Sequence, residues 1–431
     1  MKKITIVIVS ALSFLLLTAC GSNAEKESSS KKTEITLLIG KEEIATELDE
    51  TIQAYNNSQD KYKVTTIPLA GQNLTEKMTS LYASKNAPVM INPGVYTEIE
   101  QWKDKWLDLS DLDFIKDIDS QYLAAGNVDG KQIGIPSTVE GFGFLYNKEV
   151  LDKAVDGDFD PNSIQTKSDL EDLMNKIEST GKNSIEISSM DWSLGAHYTN
   201  ILFTNQSDTP EGRMKFINKL KAGKEDLTSN PVYNEWVDLF DLMKKHNAAK
   251  DSPLSTDYDA TTLSLANGDT GLWFMGSWVM PQLKEANPDA TFGILPVPLT
   301  DNPKDFGNTR ISIGVPSTWA IDGFQTTKKE QAGAKDFLTW MYDDKEGQKY
   351  YVKKLGFIPI NSNNTNKPKD SLSQCVLSYL KEDRGLEWMN GRYPSTGNAS
   401  MGASLQKYLS NDINRDTLAK ELENYWKKTE E

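Results

Sequence analysis

Apolar residues alternate along the chain between short continuous runs and helical spacing. The run "EITLLIG" (residues 34–40) predicts a buried strand, and residues 61–69 return to the same pattern. Between them, four apolar residues recur three or four positions apart: Ile44, Leu48, Ile52 and Tyr55. Residues 73–86 are helical again, with Leu74, Met78 and Leu81 in line. This alternation predicts an α/β protein with mostly parallel sheets.

A further helix is predicted from "SDLEDLMNKIESTG" (residues 168–181). Ser168 and Glu171 have the spacing of a capping box, in which each side chain bonds the backbone N–H of the other. The apolar residues Leu170, Leu173 and Ile177 share one face, and the helix is expected to end before Gly181.

The stretch "GLWFMGSWVMPQL" (residues 271–283) places two tryptophans around a change of element. Residues 271–275 predict a strand, in which Trp273 is expected to be core. Ser277 is expected to cap a helix whose first turn tolerates Pro281, because first-turn N–H groups lack intrahelical partners. Trp278 then lies at the carboxyl end of a strand, the edge where α/β sheets bind ligands.

Two other segments place aromatic residues in similar settings. Asp191 and Trp192 follow a strand expected to end near Ser188. Trp388 and Arg392 lie in "GLEWMNGRYPSTGN", which is rich in turn residues. Packing explains any one tryptophan, but three tryptophans at strand ends or in loops favour a ligand site.

The first 20 residues have the pattern of a secretory leader: Lys2 and Lys3, an apolar run, and then small residues. The ending "LTAC" resembles the bacterial lipobox, which implies cleavage before Cys20 and a diacylglycerol on its thiol. Residues 1–19 are therefore expected to be a signal peptide, and 20–33 the lipidated cysteine with a flexible tether. The location implied is the extracellular face of the membrane, as in a Gram-positive-type lipoprotein.

Composition narrows the partners. The 431 residues contain 47 Lys and Arg against 62 Asp and Glu, a net charge of −15, which makes nucleic acid an unlikely partner by charge repulsion. The length predicts two domains. The only other cysteine is Cys375, so lipidation of Cys20 leaves no intramolecular disulfide.

Metal and cofactor motifs fail at required positions. "DGDFDPNSIQTK" begins like a calcium loop but has Pro161 where glycine is required and Lys167 where a glutamate is required. The two histidines, His197 and His246, are too few for a histidine-rich metal site, and His197 is expected to be a polar surface residue. No metal, cofactor or catalytic residue is predicted.

Four segments together resemble the family 1 extracellular solute-binding proteins of carbohydrate ABC transporters, the group that contains maltose- and raffinose-binding proteins. The matching segments are "IPSTVEGFGFLYNKEVLDKA", "YDATTLSLANGDTGLWFMGSWVMPQL", "FGILPVPLTDNPKD" followed by "ISIGVPSTWAID", and "KDFLTWMYDDKEGQKYYVKKLGFIPIN". The resemblance is carried by their order and spacing behind a lipobox. It implies a periplasmic-binding-protein-like α/β fold with two discontinuous lobes joined by three hinge crossovers.

The resemblance also implies lobe boundaries. Lobe one is expected to comprise residues 34–136 plus 299–358, and lobe two residues 137–297 plus 359–431. The crossovers are expected near Pro136, between Pro296 and Pro298, and near Pro359.

The function implied is capture of a neutral oligosaccharide between closing lobes and its delivery, by a monomeric lipoprotein, to ABC permease subunits. Ten ligand-binding residues are implied: Trp278, Glu140, Trp192, Asp191, Trp388, Arg392, Lys41, Glu42, Asn92 and Tyr96. Val89 departs from the family pattern, which has an acid there, and the departure falls in the segment that contains Asn92 and Tyr96. Indole faces suit the C–H patches of a sugar, and carboxylates accept its hydroxyl hydrogens.

Two alternatives remain open from sequence. A secreted glycoside hydrolase also uses tryptophans and paired carboxylates, whose separation the sequence does not give. A binding protein for a non-sugar solute is the other, although the acidic composition disfavours an anion.

Overall fold

The computed structural model describes residues 31–70 and 72–429. The predicted leader and the lipidation site at Cys20 lie outside these residues. Within them, no helix combines the length and apolar character needed to cross a membrane.

The first sheet belongs to lobe one and has the strand that follows the tether region near its centre. Thr33–Leu38 pairs in parallel with Tyr62–Ile67 on one side and with Met90–Ile91 on the other. Thr318–Ile321 continues the sheet antiparallel to Met90–Ile91, and Ile135–Pro136 forms the far edge. The two predicted strands of this lobe are confirmed.

The second sheet belongs to lobe two and is built around Glu140–Asn147. This strand is antiparallel to Thr270–Gly276, to Phe292–Leu295 and to Ile311–Gly314. The sheet is completed by two strands in parallel pairs, Asn183–Glu186 and Gly385–Glu387. A separate small hairpin pairs Asn127–Val128 with Lys131–Gln132.

Both large sheets are mixed, so the expectation of mostly parallel sheets was wrong. A parallel pair requires a crossover connection, usually a helix, between its strands. Glu140–Asn147 and Thr318–Ile321 instead each begin just after the chain has changed lobes, and they enter their sheets antiparallel to neighbouring strands.

Helices cover the sheets, and the predicted helices are confirmed with shifted ends. The α-helices are Ala45–Ser58, Leu74–Ala83, Thr97–Gln101, Ser120–Leu123, Lys148–Ala154, Lys167–Ser179, Thr199–Thr204, Pro210–Lys221, Pro231–His246, Tyr258–Ala266, Met280–Ala286, Lys328–Asp343, Lys345–Lys353, Ser371–Lys381, Gly397–Leu409 and Arg415–Lys428. The 3-10 helices are Glu42–Ile44, Lys103–Lys105, Asp113–Asp117, Ala124–Gly126, Pro161–Ser163, Leu227–Ser229, Ser277–Val279 and Met389–Arg392, and Ser193–Tyr198 is a π-helix.

Two predicted helix caps are corrected. The capping box lies at Thr166 and Asp169 rather than at Ser168 and Glu171, because the helix begins one residue before Ser168. Ser277 does not cap the helix after it; its hydroxyl accepts a hydrogen bond from the backbone N–H of Gly141 at 3.2 Å. Ser277 thus ties the start of the strand Glu140–Asn147 to the end of its neighbour.

The chain passes between the two sheets at three places in the described residues. The first passage, residues 137–139, agrees with the expected crossover near Pro136. The last passage was expected near Pro359 but lies at residues 365–370, because residues 361–364 still bond to Ile118, Asp117 and Tyr342 of lobe one, whereas Ser371–Lys381 packs on the second sheet. The middle passage was misplaced. Ile311–Gly314 pairs with Glu140–Asn147 in the second sheet, so the chain crosses at residues 315–317 and not at 296–298.

Tyrosines of lobe one hold the first crossover. The Tyr351 hydroxyl donates a hydrogen bond to the carbonyl oxygen of Ser137 at 2.6 Å, and the Tyr342 hydroxyl donates to that of Pro136 at 2.6 Å. Both rings are buried, and burial raises the pKa of each hydroxyl, so both stay protonated donors. The backbone carbonyl groups of Pro136 and Ser137 therefore have hydrogen-bond partners at the crossover, supplied by side chains and not by a neighbouring strand.

The π-helix packs against Gly397–Leu409 with no space for a side chain at Gly195. A Cβ there would lie 1.9 Å from the carbonyl oxygen of Asn398 and 2.4 Å from the backbone nitrogen of Gly402. We therefore expect Gly195→Ala to reduce the free energy of unfolding by about 1–3 kcal/mol or more, because the added methyl group overpacks this contact. Urea denaturation followed by circular dichroism measures this. Gly157→Ala is the matched control, because its Cβ would meet only the Val155 carbonyl oxygen at 4.0 Å; equal losses in both variants would contradict the prediction.

Candidate ligand-binding cleft

A cleft of about 810 Å³ lies between the lobes. Lobe one contributes Gly40, Lys41, Glu43, Leu69, Gln72 and Asn73 to its lining. Lobe two contributes Met190, Trp192, His197, Tyr258, Asp259, Trp278, Gln282, Trp388 and Asn390. Glu140 and Pro316, beside the first two crossovers, line its floor.

The three predicted tryptophans come together on the lobe-two wall. The ring centroids of Trp278 and Trp388 are 6.2 Å apart with planes at 24°, and those of Trp278 and Trp192 are 6.3 Å apart at 61°. Trp278 and Trp192 are partly exposed, whereas Trp388 is only 6% exposed and backs the wall. The wall is therefore an aromatic surface rather than three isolated rings.

Trp278 occupies its position because the residue before Ser277 is glycine. A Cβ on Gly276 would lie 1.9 Å from the indole of Trp278, so the ring folds back over the end of its own strand. Trp273, five residues earlier, is fully buried and donates its indole N–H to the Ser188 hydroxyl at 2.7 Å. The two tryptophans thus divide between core and cleft, as the sequence pattern predicted.

His197 lies at the centre of the aromatic wall, contrary to the expected surface position. Its ring centroid is 4.9 Å from that of Trp278 and 4.7 Å from that of Phe142. Burial, with a smaller contribution from the positive charge of Lys41, lowers its pKa to about 3. Among the described residues, no group forms a hydrogen bond with the His197 ring; the one histidine ring that forms such a bond is that of His246. The ring is thus a neutral group with one donor and one acceptor facing the cleft.

A charged group faces the wall from lobe one. The Lys41 ammonium lies 2.8 Å from an oxygen of Glu140 and 2.8 Å from an oxygen of Glu43. Burial alone would lower the pKa of Lys41, but the two carboxylates outweigh it and the pKa is raised. Burial also raises the pKa of Glu140, against the opposing effect of Lys41. Lys41 stays charged and ties the loop after the first strand to the first crossover.

Few other polar contacts cross the cleft. The amide nitrogen of Gln282 in lobe two donates to the carbonyl oxygen of Glu43 in lobe one at 3.0 Å. Its amide oxygen and the hydroxyl of Tyr258 are buried without a partner among the described residues. Buried polar atoms without partners are unfavourable by about 1–3 kcal/mol each, so these atoms are expected to bind water or a ligand.

Four predicted site residues lie away from the cleft. Asp191 is exposed, and its carboxylate accepts from the backbone N–H of Trp192 at 2.7 Å. Asn92 is buried and donates to the carbonyl oxygen of Thr318 at 2.8 Å, which is a structural bond. Arg392 donates to Glu387 at 3.0 Å, and its guanidinium lies 4.1 Å from the ring centroid of Tyr96. Asp191, Asn92, Arg392 and Tyr96 do not line the cleft.

Glu42, the remaining predicted residue, lies in a 3-10 helix, and its side chain is outside what the structure describes. Glu43, next to it, lines the cleft and was not predicted. Other unpredicted lining residues are His197, Tyr258, Gln282 and Asn390. The helical spacing of Tyr258 and Gln282 gave no reason to separate them from core residues.

A second cavity of about 540 Å³ lies on the hinge side of Lys41 and Glu140. We call it the rear cavity. Its walls come from both lobes, with Met280 and Pro281 on one side and Leu355 and Phe357 on the other. Its lining is more apolar than that of the cleft. Lys41, Glu140 and Trp278 line both spaces, whereas the other rings of the aromatic wall and the buried polar groups of Tyr258 and Gln282 line only the cleft.

Comparison with known proteins gives a consistent result. Residues 50–371 match the family model of bacterial extracellular solute-binding proteins. A multiple sugar-binding protein of Streptococcus mutans serotype c is 21% identical over 403 residues, covering 91% of this chain and 90% of that protein.

Solved structures share the fold at low sequence identity. RafE in complex with raffinose has a TM-score of 0.79 at 19% identity, covering 93% of this chain and 100% of that chain. A sugar transporter from Bacillus licheniformis in complex with stachyose has a TM-score of 0.72 at 16% identity, covering 92% and 100%. The chain therefore shares the fold of these two structures.

The lowered pKa of His197 predicts a resonance that does not titrate near neutrality. In NMR spectra of the untagged chain, one of two histidine signals should stay unchanged from pH 8 to about pH 4 and should disappear in His197→Gln. The unfolded chain takes up a proton near pH 6.5 that the folded ring excludes. Stability should therefore fall between about pH 6.5 and pH 3, and less in His197→Gln than in the wild type. Parallel stability curves for the two proteins would contradict this, as would a resonance that titrates near 6.5 and disappears in His197→Gln.

Proposed function

Because the chain belongs to the family of bacterial extracellular solute-binding proteins, we propose that it captures a neutral oligosaccharide between its lobes and delivers it to an ABC importer. The observation that carries the sugar assignment is the cleft itself. A wall of indole rings on one lobe faces a charged hydrogen-bonding group from the other lobe, with unpaired polar atoms between them.

The aromatic wall suits the faces of a sugar ring. Trp278 and Trp192 are held by packing against each other and against His197, so little side-chain freedom is lost when a ligand stacks on them. Each covered C–H patch removes apolar area from water at about 25 cal/mol per Å². The wall supplies affinity that depends little on which hydroxyls the sugar carries.

The polar side suits the hydroxyl rim. Glu140 and Glu43 accept hydrogen bonds, and Lys41 and the His197 ring donate. Bonds to charged groups contribute about 1.5–3 kcal/mol each. Because Lys41 already compensates two carboxylates, a bound hydroxyl joins an existing network and no new charge has to be buried. These groups are proposed to set the orientation of the sugar.

A neutral ligand fits the charge of the cleft better than an anion. Among the described residues, the lining has one cation, Lys41, against the carboxylates of Glu43, Glu140 and Asp259. An anion would be repelled by the excess of negative charge and would compete with Glu140 for Lys41. The multiple sugar-binding protein, the raffinose complex and the stachyose complex among the similar proteins support the sugar reading.

The proposed moving parts are two lobes with corrected limits. Lobe one comprises residues 34–136 plus 318–364, and lobe two residues 140–314 plus 371–429. Bending at residues 137–139, at 315–317 and at 365–370 would close the cleft and complete the ligand contacts from both lobes. The closed shape is what the permease subunits are proposed to recognise.

The membrane attachment is proposed from sequence. Cys20 would carry a diacylglycerol after removal of the leader, and residues 21–33 would form a tether for a monomeric binding protein at the extracellular face of the membrane. Mass spectrometry of the membrane-extracted protein tests this. A mature chain that starts elsewhere or lacks lipid would overturn the anchor without affecting sugar binding.

The protein is proposed to bind sugar without cleaving it, as the similar proteins are binding proteins. The competing reading is a glycoside hydrolase that uses Glu140 and Asp191 as its carboxylate pair; of the two, only Glu140 lines the cleft. Incubation with the bound oligosaccharide and chromatographic analysis decides between them. Release of shorter sugars that disappears in Glu140→Gln would favour the hydrolase.

Removal of Trp278 should weaken sugar binding strongly. Loss of a stacking indole costs about 1.5–3 kcal/mol, so we expect Trp278→Ala to raise the Kd about 10- to 100-fold. Calorimetric titration with raffinose, stachyose and maltooligosaccharides measures the Kd. Trp102→Ala is the matched control, because Trp102 stacks on Tyr82 in lobe one, away from the cleft. An unchanged Kd for Trp278→Ala would remove this ring from the site.

Glu140→Gln should weaken binding less, because the amide keeps the shape and replaces a charged acceptor with a neutral one. We expect the Kd to rise about fivefold, the difference between a charged and a neutral hydrogen bond. Glu235→Gln is the control: Glu235 pairs with Lys167 at 2.7 Å on the surface of lobe two. If both variants bind alike, Glu140 does not contact the sugar.

A further inference from the structure

A smaller polar cavity of about 170 Å³ adjoins the cleft. We call it the side cavity. It too lies between the lobes, with Thr75 and Glu98 on the lobe-one side and Ser395 on the lobe-two side. Pro316, Trp388 and Asn390 line both spaces, so the side cavity opens beside the aromatic wall. Its volume is well above the about 30 Å³ that one water molecule occupies.

Two buried polar atoms at this junction have no partner among the described residues. They are the indole nitrogen of Trp388, a donor, and the side-chain oxygen of Asn390, an acceptor. Leaving such atoms unsatisfied costs about 1–3 kcal/mol each. Neither atom is exposed in this structure, so both would need a small side-chain movement, as on closure of the lobes, before they could pair with a ligand. A sugar hydroxyl both donates and accepts, so hydroxyl groups suit both atoms.

Glu98 adds a third group that lacks a full complement of partners. The backbone N–H of Gly94 donates to its carboxyl group, and no Lys or Arg forms a salt bridge with it in the described chain. Burial raises its pKa. Gly94 allows the close approach, since a Cβ there would lie 2.5 Å from a carboxyl oxygen of Glu98. The nearby Arg392 is already engaged by Glu387 and Tyr96.

The chemistry of these groups indicates which class of ligand fits the side cavity. An anion would meet Glu98 without a compensating cation. A metal ion is disfavoured, because no cluster of three His, Cys, Asp or Glu side chains occurs in the part of the chain that is described. A neutral group with several hydroxyls matches one donor and two acceptors spread around a space of this size.

We infer that the side cavity is a subsite for one further residue of the oligosaccharide, which runs from the aromatic wall past Pro316 and is held by Asn390 and Glu98. This inference rests on the proposed function, and it adds that the side cavity makes the affinity depend on the length of the sugar. A longer sugar should gain affinity from the residue that enters the side cavity, and a shorter one should not depend on Glu98 at all.

The test compares sugars that differ by one residue. Wild type, Glu98→Gln and Asn390→Ala are titrated by calorimetry with sucrose, raffinose and stachyose, and with maltose, maltotriose and maltotetraose. In one of the two series, we expect wild-type affinity to rise at one length step. Glu98→Gln should reduce that gain about five- to tenfold, while leaving the Kd of the shorter sugar unchanged.

Two further variants separate binding from folding. Glu100→Gln is the matched control, because Glu100 is exposed on the same short helix as Glu98. Ser395→Leu fills the side cavity from the opposite lobe and should remove the same length step without touching Glu98. Urea denaturation of each variant shows whether a loss of affinity reflects loss of fold.

The outcomes distinguish this inference from the proposed function. Binding of neither sugar series would contradict the proposed function, and the subsite with it. Sugar binding with no gain at any length step would overturn the subsite alone. Equal weakening of short and long sugars by Glu98→Gln and Ser395→Leu would also overturn the subsite. The side cavity would then not contact the extra sugar residue and would hold only water.

Discussion

The buried ammonium of Lys41 constrains how the two halves of this molecule meet. A lysine withdrawn from water is strongly unfavourable unless carboxylates compensate it, and here two do so at 2.8 Å each. Glu43 belongs to the same loop as Lys41, whereas Glu140 starts the central strand of the second sheet. The ion pair therefore fixes the loop after the first strand against the first crossover. All three side chains line the cleft, opposite the aromatic wall.

The aromatic wall, which lies opposite the charged group, is held in place by packing and not by ion pairs. Its rings belong to separate segments of lobe two: the strand end before Trp278, the π-helix with His197, and the turn with Trp388. Glycines permit the contacts, since Gly276 makes space for the Trp278 ring and Gly195 lets the π-helix approach the helix beneath it. Rings fixed by such close contacts have little freedom to move in the structure without a ligand. A preformed surface of this kind reduces the entropy lost on binding.

Much of this arrangement was accessible from sequence. Periodicity gave the strands and helices that carry the cleft, and strand-end position correctly separated Trp278 from Trp273. The apolar periodicity did not reveal that His197 lies in the cleft, because a π-helix has no distinctive apolar spacing. Asp191 and Arg392 looked equally plausible beside their tryptophans, but their partners, the N–H of Trp192 and the carboxylate of Glu387, are set by the local backbone and by tertiary contacts. The strand Ile311–Gly314 was misassigned because four residues do not indicate which sheet they join.

The rear cavity has a mechanical consequence. Its walls come from both lobes, and Lys41, Glu140 and Trp278 line it as well as the cleft. A bulky side chain introduced into the rear cavity would therefore press on these three residues from behind. The angle between the lobes and the position of the Trp278 ring would then be adjustable from a surface other than the cleft itself.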